Sequence, residues 1–103
     1  MKIVWTGFAI KNVKSIYLYY CEKANIKVAN KIKTQIQNAP KKLLYNPEIG
    51  QVELNLVEDK LEYRYLVVNN YKIIYRIDEK QIIINDVFDT RQNPIKMNDK
   101  ERL

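Results

Sequence analysis

Three consecutive runs of β-forming residues constrain the fold of this chain more than any other feature. The runs cover residues 61–68, 71–77 and 81–88. They are rich in Tyr, Val, Leu and Ile, which fit a pleated and half-buried surface. Asn69-Asn70 separates the first two runs, and Asn tolerates the positive φ that a two-residue hairpin demands at both central positions. Glu79-Lys80 gives a polar break before the third run, so the segment is predicted to form three antiparallel strands.

Two-residue loops at both turns would fix the register, with Val68 facing Tyr71 and Lys72 facing both Val67 and Val87. Because side chains alternate across a sheet, the strands sort into two faces. The apolar face holds Leu66, Val68, Tyr71, Ile73, Tyr75, Ile77, Ile82, Ile84 and Phe88, with Arg64 and Asp86 toward its ends. The other face, here called the mixed face, holds Tyr63, Tyr65, Val67, Lys72, Ile74, Arg76, Ile83, Asn85 and Val87. The mixed face is predicted to be the working surface, although a one-residue slip in the second loop would reassign the third strand.

Two helices are predicted before these strands. The hydroxyl of Thr6 can cap the first, because it can accept from the free amides of a following turn. Apolar residues then recur at helical spacing from Phe8 to Lys23, and again from Ile26 to about Asn38, where Pro40 ends the pattern. The two helices form a hairpin whose apolar stripe needs a surface to cover, and the apolar face of the sheet is the one large enough.

Weaker signals complete the architecture. Lys2–Trp5 is predicted to be an opening strand, and the tail Ile95–Leu103 is charged and predicted to fray. A further short strand is possible where Val52, Leu54 and Leu56 alternate with Glu53, Asn55 and Val57. The predicted class is α+β in the order βααβββ, with an antiparallel sheet of three to four strands packed on one face by a helical hairpin. Residues 1–103 are expected to form a single domain.

The composition excludes several kinds of chemistry. The chain has no histidine and one cysteine, so it has no Ser-His-Asp triad, no Cys-His pair and no imidazole or multi-thiolate zinc centre. Gly7 and Gly50 stand alone, so no glycine-rich phosphate loop is present. No metal and no cofactor are expected, and any catalysis would rest on Arg, Lys, Tyr and carboxylates.

Charge and cysteine usage indicate partners and location. The net charge of +6, from 18 Lys and Arg against 12 Asp and Glu, favours a nucleic acid or an acidic protein, the alternative being a basic surface with no particular partner. Cys21 fits a reducing cytoplasm and is interpreted as a small buried hydrophobe. No apolar run could span a bilayer and no signal-peptide pattern opens the chain. A cytoplasmic protein with no membrane contact is expected.

Five residues are candidates for binding a target or a nucleic acid. Lys72 and Arg76 lie four apart on one strand and so point the same way, and Arg91 could reach the same face if the chain curls back. Tyr63 and Tyr65 could stack on bases or meet a partner, although β-propensity alone would also place them there.

Catalysis on RNA sets stricter demands. Attack by a 2′-hydroxyl needs a base, an acid and a cation at the phosphate. Arginine stays protonated, and Lys72 could act as a base only where its surroundings favour the neutral amine. Asp86 and Asp89 are the carboxylates nearby, and their favoured interpretation is as salt partners of the arginines or as a helix cap.

In their order along the chain, these features resemble the RelE/ParE superfamily of bacterial toxins, the toxin halves of type II toxin–antitoxin operons, also labelled plasmid stabilisation proteins. The likeness runs from Lys2 to about Pro94. It rests on IVWT, Ala9…Val13…Ile16…Tyr20, Pro47-Glu48-Ile49-Gly50, Tyr63-Arg64, NNYKIIYRI and VFDTRQNP. The resemblance implies a toxin that arrests growth and is neutralised by a cognate antitoxin, often acidic, whose extended segment could add a strand to an open sheet edge.

The two branches of the superfamily imply different activities. RelE-type members are ribosome-dependent endoribonucleases of mRNA, and Arg64, Lys72 and Arg91 match their catalytic basic positions. Leu66 stands where a further lysine would be expected, and no tyrosine follows Tyr75. ParE-type members poison DNA gyrase. This branch is favoured by the pair Tyr63-Arg64, the strand sequence NYKIIYRI and the closing residues Arg-Gln-Asn-Pro. A ParE-like poison is therefore predicted, the alternatives being a RelE-like endoribonuclease and, behind it, a plain nucleic-acid-binding module.

Overall fold

A computed structural model describes residues 1–56 and 61–99. Within these residues the chain forms two α-helices and a five-stranded sheet in the order β1-β5-β4-β3-β2. The elements are β1 (Lys2–Trp5), α1 (Gly7–Lys23), α2 (Ile26–Asn38), β2 (Gln51–Val52), β3 (Arg64–Val68), β4 (Tyr71–Asp78) and β5 (Gln81–Asp89). Short 3₁₀ helices cover Ala39–Leu44, Pro47–Ile49 and Pro94–Asn98. The α+β class and the helical hairpin are confirmed.

The two edge strands extend the sheet beyond the predicted three to four strands. β1 runs parallel to β5, with Lys2 opposite Gln81 and Trp5 opposite Ile84. The long connection that parallel pairing requires comprises both helices and the strands β2 to β4. β2 contributes only two residues, which pair with the start of β3. Val57, which ended the alternating pattern in the sequence, lies outside the described residues.

The predicted register of the β3–β4 hairpin is confirmed, with Val68 opposite Tyr71. The second turn also falls at Glu79-Lys80 as predicted. Positive φ occurs at Asn69 (52°) and at Glu79 (53°). In the Asn69-Asn70 turn, one central residue therefore adopts it and not both as expected. A short polar side chain at the first of these positions lowers the cost of this conformation.

A β-bulge at Asn85 overturns the predicted faces of the last strand. The register between β4 and β5 shifts there, so that Asn85 has no direct partner on β4. An extra residue in one strand exchanges the faces of the residues that follow. Phe88, predicted to face the helices, lies opposite Lys72 on the mixed face, and Val87 takes its place in the core beneath the helices.

The sheet buries apolar side chains on both of its faces. The larger core lies under the helices and comprises Ala9, Val13, Ile36, Leu43, Leu66, Tyr71, Ile73, Tyr75, Ile82, Ile84 and Val87. Tyr71 and Tyr75 are core residues, as predicted. A smaller cluster on the mixed face comprises Tyr63, Ile74, Phe88 and Met97. The mixed face is therefore partly a second core.

The 3₁₀ helix Pro94–Asn98 closes this second cluster. Met97 is only 2% exposed, and the side-chain amide of Asn98 donates to the carbonyl of Asn55 at 2.8 Å. The prediction that the tail frays from Ile95 onward is wrong as far as Asp99, because Met97 finds an apolar site on the mixed face. Residues 100–103 lie outside the described part of the chain.

Met97→Ala is expected to lower the free energy of unfolding by about 2 kcal/mol, because it removes buried methylene groups and leaves a cavity. Urea unfolding followed by circular dichroism measures the change. Ile95→Ala is the control, since Ile95 is 72% exposed in the same short helix and should change stability by less than about 0.5 kcal/mol. Equal losses of unfolding free energy in the two variants would mean that burial of Met97 does not stabilise the cluster.

Candidate functional site

Lys72 lies at the centre of the mixed face and is held by two partners. Its Nζ lies 2.7 Å from Oε2 of Glu53 and 4.2 Å from the centroid of the Tyr65 ring. The Glu53 side chain is 1% exposed, and its other oxygen accepts from the backbone and side-chain amides of Asn55. An ion pair and a cation–π contact thus fix the ammonium group. The positive charge of Lys72 is therefore already paired within the protein, with the Glu53 carboxylate and the Tyr65 ring.

The two candidate tyrosines of the mixed face differ in accessibility. Tyr63 is 5% exposed and packs with Phe88 and Met97, so it offers no open ring face for stacking and its predicted role as a platform is corrected. Tyr65 is partly exposed, and its hydroxyl donates to Oε1 of Gln51 at 3.0 Å. The Lys72 ammonium group also contacts the Tyr65 ring. A partner that contacts Tyr65 would therefore also lie close to that ammonium group.

Arg64 on β3 and Arg76 on β4 make different contacts. Arg64 belongs to the helix side of the sheet, and its Nη1 donates to the carbonyls of Glu48 at 3.1 Å and Gly50 at 2.8 Å. It therefore secures the loop before β2. Arg76 lies on the mixed face with its Nη1 3.7 Å from Oδ2 of Asp78, a looser pair whose aspartate side chain is 52% exposed.

Arg91 lies on the helix side, away from Lys72 and Arg76. Asp89, which sits opposite Tyr71, accepts from Nε of Arg91 at 3.0 Å and from its Nη2 at 2.8 Å. The backbone amide of Thr90 donates to the carbonyl of Asn70 and directs the chain toward α1. The chain therefore does not curl back, and the condition under which Arg91 could reach the mixed face is not met.

Arg91 borders a cleft of about 290 Å³ between α1 and the end of β5, here called the Arg91 cleft. Its lining comprises Asn12, Ser15, Ile16, Tyr19, Tyr71, Val87, Asp89, Arg91 and Gln92. Hydrogen bonds from Arg91 hold the pKa of the Asp89 carboxyl below its usual value, and the same contacts raise the pKa of the guanidinium. Both groups are therefore charged at neutral pH.

The tyrosine floor of this cleft is neutral. Burial raises the pKa of the Tyr71 hydroxyl, and a hydrogen bond to the Tyr20 hydroxyl at 3.4 Å adds to the shift. Tyr71 therefore stays protonated far above neutral pH, and Arg91 and Asp89 supply the charge in this part of the site.

The described residues offer neither a metal site nor a membrane span. Nowhere in 1–56 and 61–99 do three His, Cys, Asp or Glu side chains come together in a way that could hold a metal ion. In the same residues, no helix is both long and apolar enough to cross a membrane.

Comparison with known proteins identifies the family. The family model described as the ParE toxin of the type II toxin-antitoxin system, parDE, matches residues 3–94. The chain belongs to the ParE toxin family. The predicted resemblance to RelE/ParE toxins is thereby confirmed. None of the curated proteins matches this ParE toxin.

A solved structure shares the fold of this ParE toxin. It comes from the chromosomal ParDE TA system from P. aeruginosa, with a TM-score of 0.70 and 23% sequence identity. The match covers 84% of this chain and 92% of that chain. The segment Pro94–Asn98 that closes the second cluster begins where the match to the family model ends.

Two residues that shape the site of this ParE toxin, Glu53 and Met97, are not predicted from the sequence. The alternating pattern marks Glu53 only as a polar residue between Val52 and Leu54, and nothing local indicates its ion pair with Lys72. Met97 lies in the tail that is predicted to fray, although an apolar residue at helical spacing after Pro94 is compatible with a docked turn. Both depend on long-range contacts that periodicity does not report.

Proposed function

We propose that this ParE toxin arrests growth by poisoning DNA gyrase and that a cognate ParD-type antitoxin neutralises it. Membership of the ParE family supports the toxin assignment. The observation that supports a non-enzymatic mode of action is the separation of Arg64, Lys72 and Arg91, the three basic residues that a ribonuclease of this fold would need together.

These three residues lie in three separate environments. Arg64 is bound to backbone carbonyls on the helix side, and Lys72 is paired with Glu53 on the opposite face of the sheet. Arg91 is paired with Asp89 beside α1. General acid–base catalysis requires its groups within hydrogen-bond reach of one phosphate. Groups on opposite faces of a sheet cannot meet that requirement, so their dispersal favours a poison over a RelE-like endoribonuclease.

An antitoxin partner is supported by charge and by an open edge. The net charge of +6 favours rapid association with an acidic chain. β2 covers only the first two residues of β3, and among the described residues no strand pairs with the outer edge of Leu66–Val68. An extended segment of a partner could pair there by strand addition.

Purified protein added to gyrase and relaxed plasmid is expected to inhibit supercoiling and to accumulate gyrase-linked DNA breaks. Topoisomerase I is the control enzyme and should be unaffected. The product of the neighbouring reading frame, co-purified as a complex, should restore supercoiling. Intact gyrase activity together with cleaved ribosome-bound transcripts would instead establish the endoribonuclease. Both targets agree with the predicted cytoplasmic location.

A further inference from the structure

The Arg91 cleft presents hydrogen-bonding groups that the protein itself does not use. A guanidinium has five N–H donors in a planar fork. Asp89 accepts from Nε and from one hydrogen of Nη2, and no other group in residues 1–56 and 61–99 accepts from this side chain. The Nη1–Nη2 edge therefore remains available, on a side chain that is 57% exposed.

Two neutral polar side chains line the same cleft as Arg91. The hydroxyl of Ser15 and the carboxamide of Gln92 line the cleft, and neither makes a side-chain hydrogen bond within the described parts of the chain. Tyr19, which is 47% exposed, supplies an aromatic wall next to them. The bidentate contact with Asp89 fixes the plane of the guanidinium, so the free edge has a defined direction.

The free guanidinium edge and the size of the cleft favour a carboxylate over a nucleic-acid phosphate. The end edge of a guanidinium matches a planar carboxylate in bidentate geometry. The cleft volume of about 290 Å³ is large enough for one side chain. It lies at the lower limit of the pockets that bind whole small molecules. A nucleic-acid strand would need further cations along its path, but Arg91 is the one cation that lines the cleft among the described residues.

We propose that the Arg91 cleft recognises a single Glu or Asp side chain of a partner protein. The Nη1–Nη2 edge of Arg91 binds the two carboxylate oxygens, and the Ser15 hydroxyl donates to one of them. Naming the antitoxin as the owner of this carboxylate rests on the proposed function. The recognition itself rests only on the geometry of the cleft.

A chemical-shift titration of the ¹⁵N-labelled protein tests this site with acetyl-Gly-Glu-Gly-amide as the probe. Saturable shifts are expected for the amides of Ser15 and Gln92 and for Nε–H of Arg91. The neutral peptide acetyl-Gly-Gln-Gly-amide is the matched ligand and should produce no saturable shift. Arg91→Lys keeps the charge but loses the planar fork, and should weaken binding at least about threefold. Arg76→Lys is the matched control and should leave binding unchanged.

Three outcomes would overturn the proposal. The first is equal chemical-shift changes with the two peptides, and the second is an equal loss of affinity in Arg91→Lys and Arg76→Lys. The third is tighter binding of dimethyl phosphate than of the Glu peptide, which would indicate a nucleic-acid site. Ser15→Ala gives an independent check, because it removes a donor on an exposed helix face and should weaken binding without unfolding the protein. The titration contains neither gyrase nor antitoxin, so its failure is distinguishable from failure of the proposed function.

Discussion

Gly50→Ala is expected to destabilise the fold by about 3 kcal/mol, because inserting an atom into a tightly packed site forces its neighbours to move. An alanine Cβ at Gly50 would lie 2.7 Å from Cε1 of Tyr75 and 2.9 Å from the backbone oxygen of Tyr65, and it would also clash with the Tyr75 hydroxyl. Tyr75 is 0% exposed and cannot swing aside. The φ of Gly50 is −68°, so the cost is steric and does not come from the backbone conformation.

The same clash would break a small hydrogen-bond network. The Tyr75 hydroxyl accepts from the amide of Gly50 at 3.0 Å and donates to the carbonyl of Pro47 at 2.7 Å. The carbonyl of Gly50 accepts from Arg64. Displacing the hydroxyl leaves a buried amide without a partner, which costs about 1–3 kcal/mol. The loop before β2 should therefore loosen together with the loss of stability.

Urea unfolding measures the effect of Gly50→Ala, and Gly7→Ala is its control. A Cβ added at Gly7 meets nothing within 4 Å, so this variant should lie within about 0.5 kcal/mol of the parent protein. Similar midpoints for the two variants would contradict the close packing of Gly50 against Tyr75.

Lys72→Met is expected to lower the free energy of unfolding by about 3 kcal/mol, because removing one partner of a buried ion pair leaves the other charge uncompensated. The Glu53 side chain is 1% exposed, and the amides of Asn55 alone would then have to stabilise its carboxylate. Thermal and urea unfolding at neutral pH measure the loss.

Two further variants test whether the stability loss in Lys72→Met comes from breaking a buried ion pair or from removing a positive charge in general. Arg76→Met removes a cation from a 3.7 Å pair with a 52% exposed Asp78, and should cost no more than about 1 kcal/mol. The double variant Glu53→Met/Lys72→Met removes both charges and should recover most of the stability that Lys72→Met loses. A double variant less stable than Lys72→Met would refute the uncompensated-charge explanation.

The central hairpin and the helices could be predicted because their signals are local. Asn69-Asn70 fixed the register of β3 and β4, and the hydroxyl of Thr6 accepts from the amide of Ala9 as an N-cap should. The bulge at Asn85 could not be predicted in this way. At the bulge, the Thr6 hydroxyl donates to the backbone oxygen of Asn85, a contact across 79 residues that no local pattern reports.

The candidate site was less predictable, since strand alternation places a side chain on a face but does not show what covers it. Lys72 and Arg76 lie on the predicted face, whereas Tyr63 is covered by Met97 from a segment more than thirty positions later. Arg91 falls past the last strand, where no periodicity applies. Its direction depends on the bond between Thr90 and Asn70 and on the carboxylate of Asp89.

The parallel pairing of β1 with β5 delays completion of the fold during synthesis. The hydrogen bond from Thr6 to Asn85 spans 79 residues, which a ribosome adds in roughly 4 to 16 s at about 5–20 residues per second. In the later part of that interval, once Asn38 has been added, both helices are made but lack the strands that bury their apolar stripe. A partner translated beforehand would thus meet a toxin that has not yet acquired its working shape.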